Sequence, residues 1–146
     1  MALTSAISTK EFERIAGLAY EGLACRVSLH QNDGTLTADS TIAEWDAKKL
    51  PAANGYEDFE VASLPEGGLD AGSDERWEIG GTPGANTYIE ATFSAESAGF
   101  TYNTVVTRIG SSNYPHSILV ENPGVTVSAG QNQVYRVQLL IDNVGG

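Results

Sequence analysis

Phe100-Thr-Tyr-Asn-Thr-Val-Val-Thr-Arg-Ile109 is rich in β-branched and aromatic residues and runs into Gly110, a composition that favours a strand over a helix. Phe100, Tyr102, Thr104 and Val106 fall on one face, and Val105, Thr107 and Ile109 on the other. The spacing therefore predicts a strand covered on both sides. Neighbouring stretches read alike. Residues 87–94 alternate Ile89, Ala91 and Phe93 with Tyr88, Glu90 and Thr92. Residues 116–121 and 125–128 are two more short runs. Residues 134–141 turn Tyr135, Val137, Leu139 and Ile141 toward a core. Asn122-Pro-Gly124 and Ala129-Gly-Gln131 read as turns between them.

Working back from this region, residues 1–22 read as an N-terminal helical arm. Ser8-Thr-Lys-Glu11 has capping-box spacing, and Gly22 is placed to stop the helix. Phe12, Ile15, Leu18 and Ala19 recur at three- and four-residue intervals as one apolar stripe. Gly17 inside the helix costs about 1 kcal/mol relative to alanine, so packing has to hold it. That stripe serves either to cover one end of the sheet structure or to pack on a neighbouring subunit.

Residues 24–30 form the first expected strand, and Asn32-Asp-Gly34 is a tight-turn signature. Thr41-Ile-Ala-Glu44 opens a second short helix with Ile42 and Trp45 facing one way, and Pro51 ends that segment. Asn54-Gly55 is another turn. Tyr56, Phe59 and Val61 suggest a strand whose spacing shifts partway. Residues 64–86 are Gly- and Pro-rich and read as a surface loop carrying one strand at Trp77 to Ile79. Many short strands, with helices confined to the first 50 residues, predict a mainly β chain. The expected form is an antiparallel β-sandwich or jelly roll with one or two short N-terminal helices, as a single domain over residues 1–146.

Charge narrows the function. Eight Lys and Arg against 19 Asp and Glu give a net charge of -11, which repels nucleic-acid phosphates and anionic membrane surfaces. No apolar run approaches the ~20 residues of a membrane span. The N-terminus lacks a basic region followed by an apolar run, so no signal peptide is expected. Cys25, the single cysteine, sits among Leu23, Ala24, Val27 and Leu29 and reads as a small buried hydrophobe.

Chemistry-bearing patterns are sparse. His30, His116 and Cys25 are too few for an ordinary structural zinc site. His116 is expected as a hydrogen-bonded structural residue, and His30, at a strand end beside Gln31 and Asn32, as solvent-facing. Gly-x-Ser-x-Gly is absent, and Gly80-Gly81-x-x-Gly84 lacks the lysine and helix of a phosphate loop. Asp70, Asp74 and Glu75 are carboxylates near glycines that suit either calcium or plain solvation, without EF-hand spacing. No carboxylate pair stands out for glycoside hydrolysis. The reading is a non-enzyme that needs no cofactor.

Two stretches carry a resemblance. Phe93-Ser-Ala-Glu-Ser-Ala-Gly-Phe-Thr-Tyr-Asn-Thr-Val-Val106, followed by Pro115-His-Ser-Ile-Leu-Val120, is one. Val125-Thr-Val-Ser-Ala-Gly-Gln-Asn-Gln-Val-Tyr-Arg-Val-Gln-Leu139 is the other. With Leu18-Ala-Tyr-Glu-Gly22 leading into the first strand, they resemble small virion structural proteins of tailed bacteriophages. The resemblance implies a non-enzymatic β-sandwich in a phage particle, made in the host cytoplasm. Within the virion, compactness favours a capsid cement or decoration protein that stabilises the head lattice. Its expected partners are its own copies, as a trimer, and the major capsid protein. A tail-fibre, neck or baseplate component is the alternative. A carbohydrate-binding module, with Trp77 and Tyr88 as stacking residues, is the reading from another class. Phe12, Ile15, Leu18 and Trp77 are the candidate protein–protein contacts.

Overall fold

A computed structural model of the chain describes residues 8–70, 73–79 and 88–142; the side chains of Thr9, Asp70, Ser73, Asp74, Glu75 and Asp142 lie outside that description. The architecture is mainly β. In chain order the elements are α1 (Thr9–Tyr20), β1 (Cys25–His30), α2 (Ile42–Asp46), β2 (Phe59–Val61), β3 (Gly67–Asp70), β4 (Ser73–Ile79) and β5 (Ile89–Ser94). They continue with β6 (Phe100–Ile109), β7 (Ser117–Val127), β8 (Asn132–Val137) and β9 (Leu140–Asp142). Among the described residues these strands form three sheets, ordered β2-β1-β6-β7, β3-β4-β9 and β5-β8. The chain divides into two compact units: Met1–Leu23, Ser63–Ile89 and Arg136–Gly146 form one, Ala24–Ala62 and Glu90–Tyr135 the other.

In the second unit, β1 and β6 are the inner strands of the four-stranded sheet, pairing antiparallel from Cys25 opposite Ile109 to His30 opposite Thr104. An inner strand has neighbours on both edges, and here also layers on both faces. Val105 and Val106 are therefore both buried although they point opposite ways, as the two-sided pattern predicts. Arg26, Ser28 and His30 share one face of β1, and Cys25, Val27 and Leu29 share the other.

α2 covers part of this sheet. Thr41 makes a full capping box: its hydroxyl accepts from the Glu44 amide at 3.2 Å, and Glu44 Oε1 accepts from the Thr41 amide at 3.1 Å. Ile42 and Trp45 then pack on Val106, with Leu36 and Ile118 at the margin. A separate aromatic cluster joins Tyr56, Phe93, Phe100, Tyr102 and Tyr135, with ring centroids between 5.6 and 6.4 Å apart.

The shifting spacing around Tyr56 has a physical cause. β2 pairs only with Cys25, Arg26 and Val27 of β1. Beyond it the Leu29 amide donates to the Tyr56 hydroxyl at 2.9 Å, and the Leu50 amide donates to the Leu29 carbonyl at 3.0 Å. Asn54 and Gly55 adopt φ of 58° and 86°, the left-handed pair that the Asn-Gly turn signal implies.

One expected turn is not a turn. Asn122-Pro-Gly124 lies inside a continuous β7, where Tyr102 pairs with Val125 and Thr104 with Val120. Residues 121–124 thus stand opposite Asn103 alone, an enlarged bulge with a cis Asn122–Pro123 bond. A Cβ on Gly124 would meet the Tyr102 carbonyl oxygen at 2.9 Å, which explains the glycine. β7 forms one end of its sheet, and most of its side chains are exposed. The last expected strand is interrupted at Gln138 and Leu139, giving β8 and β9. Its alternation holds: Tyr135 and Val137 are half-buried and Leu139 is fully buried.

In the first unit, residues 64–86 were expected to carry one strand. The described residues hold two: β3 and β4 pair antiparallel, and β4 pairs β9 with Trp77 opposite Ile141. Glycine at 67 makes this possible, because a Cβ there would collide with the Trp77 ring and the Glu78 carbonyl oxygen.

Candidate functional site

α1 is the element on which the expected contact residues converge. Ser8 caps it, its hydroxyl accepting from the Glu11 amide at 3.2 Å. The reciprocal half of the capping box is not made. Glu11 turns instead to Arg14, whose Nε donates to it at 2.9 Å, and this bond holds the Glu11 carboxyl below its ordinary range.

The buried stripe is Phe12, Ala16 and Tyr20, at four-residue intervals, with Gly17 beside it. This corrects the expected stripe. Leu18 stands two residues from Ala16, about 200° round the helix axis. It therefore points outward at 69% exposure, with Ile15 at 44% and Ala19 also exposed. The four candidate contacts separate into two pairs. Phe12 and Trp77 belong to the interior, and Ile15 and Leu18 to the surface.

Trp77 is fully buried and stacks on Tyr20, with centroids 5.6 Å apart and planes 11° from parallel. Its ring is unavailable to a sugar or a partner surface. Tyr88 is 43% exposed, but the Arg136 guanidinium lies 4.6 Å over its ring centroid and occupies one stacking face. The sugar platform expected from Trp77 and Tyr88 is therefore not assembled.

Around Leu18 lies an open groove of about 730 Å³, lined by Lys10, Arg14, Gly17, Leu23, Glu66 and Gly67 among others. Its charges are largely spoken for locally. Lys10 pairs with Glu13 at 3.7 Å, Arg14 pairs with Glu11, and Glu21 accepts from the Gly67 amide at 2.9 Å. The apolar groups at this surface are Ile15, Leu18 and Leu23, all at least 37% exposed.

The second unit holds a polar network that the sequence reading missed. His30, expected at the surface, has no exposure. Its Nδ1 lies 2.8 Å from the Trp45 carbonyl oxygen, which only accepts, so Nδ1–H donates. Nε2 is then the acceptor for the Ser28 hydroxyl at 2.8 Å. Burial is the largest influence on the ring and lowers its pKa to about 4, with the Trp45 bond opposing, so the imidazole stays neutral.

A serine beside a carbonyl-oriented histidine has the outline of a nucleophile and base. Ser28 has no exposure either, so no substrate atom reaches its Oγ. Next to it Tyr56 donates to Asp58 at 2.6 Å, and Lys49 pairs with the same carboxylate at 2.8 Å. Burial raises the Asp58 carboxyl, but those two bonds together with the charges of Lys49 and Arg26 outweigh it and leave the group below its ordinary range. Burial chiefly raises the Tyr56 hydroxyl, keeping it a donor. Arg26 and Asp46 pair at 2.7 Å. The signal that could have found this network was the alternation in β1 itself, which puts Arg26, Ser28 and His30 on one face.

Cys25 is buried as expected, and burial pushes its thiol up to about 11. The His116 side chain is exposed, and its backbone amide donates to the Thr107 carbonyl at 2.7 Å. The possible calcium ligands Asp70, Asp74 and Glu75 have side chains outside the described set. Glu78 is only 2% exposed, and neither of its carboxylate oxygens has a hydrogen-bond partner among the described residues. Among the described residues no group of three or more His, Cys, Asp or Glu could hold a metal ion. Comparison with protein-family models, with curated proteins and with solved structures finds no match.

Proposed function

We propose that this chain is a non-enzymatic structural protein of a phage particle, a capsid cement or decoration protein that stabilises the head lattice. In this reading its strands form an antiparallel sandwich of the jelly-roll kind. It works in the virion as a homo-oligomer, a trimer, seated on the major capsid protein. The observation that carries it is the outward pair Ile15 and Leu18. They sit on a helix whose opposite face is fixed in place by Phe12, Ala16 and Tyr20. A rigid helix presenting unpaired apolar side chains suits contact with another subunit better than turnover of a small molecule.

The disposition of the polar groups supports the same reading. His30, Ser28, Tyr56 and Asp58 are engaged in holding β1 and its neighbours together, not in facing a substrate. The resemblance of residues 93–106, 115–120 and 125–139 to small virion proteins supplies the particle.

Imaging particles decorated with the purified chain tests the location. Density repeated over the head lattice is the expected result, and density only at the tail overturns the cement reading in favour of a tail-fibre, neck or baseplate role. The Ile15→Glu, Leu18→Glu double variant tests the surface. It should fold normally and assemble with one third as many copies as the unaltered chain. An unchanged assembly mass removes α1 from the interface.

A further inference from the structure

We draw no further inference here: the strongest candidate, the open pocket between α2 and residues 110–114 where Arg108 donates to the Ser112 carbonyl, is lined by Asp46 as well as by the arginine, and nothing in the structure shows what would occupy it.

Discussion

His30 shows how a single side chain ties stability to pH. Its ordinary pKa is 6.5 and its folded value is about 4, because burial disfavours the imidazolium. Below pH 6.5 the unfolded chain takes up a proton that the folded chain refuses. The contribution is thus complete above pH 6.5 and shrinks as pH falls toward 4, by ~3 kcal/mol over that window. Urea titrations at pH 7 and pH 4 should show the loss. A His30→Gln variant should be less stable at pH 7 but have a shallower dependence, and an equal slope in both proteins removes His30 as the cause. The sequence misplaced this residue because chain neighbours, Gln31 and Asn32, are polar. Its surroundings come from Trp45, fifteen positions on, which lies edge-on to the ring at 5.5 Å. Proximity along the chain predicted solvent; proximity across the sheet decided otherwise.

At the scale of elements, packing within the β3–β4 hairpin depends on a missing atom. Gly67 lies against the Trp77 ring and the Glu78 carbonyl oxygen with no room for a Cβ. Gly67→Ala should cost at least 1–3 kcal/mol, the usual range for overpacking a tight core. Chemical denaturation measures it directly, and a variant as stable as the parent would mean the hairpin shifts freely. Trp77 on one side and Tyr20 on the other make α1 part of the first unit's interior, so its deletion would strip a core face and not merely an arm. Elements whose own sequence alternates, β1, β5 and β6, were legible. So were both helix starts, where Ser8 and Thr41 declare themselves. The hairpin was not, since its glycines look like loop residues until the indole that requires one of them is placed. Asn122-Pro-Gly124 was misread for the converse reason: turn-forming residues also build a bulge when a long partner strand such as β6 continues past them.

For the molecule as a whole, the net charge of -11 sets the terms of assembly. In the proposed assembly the contacts made by Ile15 and Leu18 are apolar, so what opposes them is long-range repulsion between acidic chains. Raising salt shortens the screening length from ~30 Å at 0.01 M to about 8 Å at physiological strength and should therefore strengthen association. Sedimentation across a salt series should show mass rising, and mass falling would mean that ion pairs hold the copies together. The β class of the chain was readable from composition and alternation. The α1 stripe was half-readable, because a helical stripe can be counted along the sequence but which side of it faces inward is set by Trp77 and Tyr20. One buried group extends this to dynamics. Cys25, the only thiol, lies in β1, hydrogen-bonded between β2 and β6. An alkylating reagent reaches it only while those strands are parted. Its modification rate is consequently a clock for sheet opening, already installed in the natural chain and readable by mass without label or denaturant.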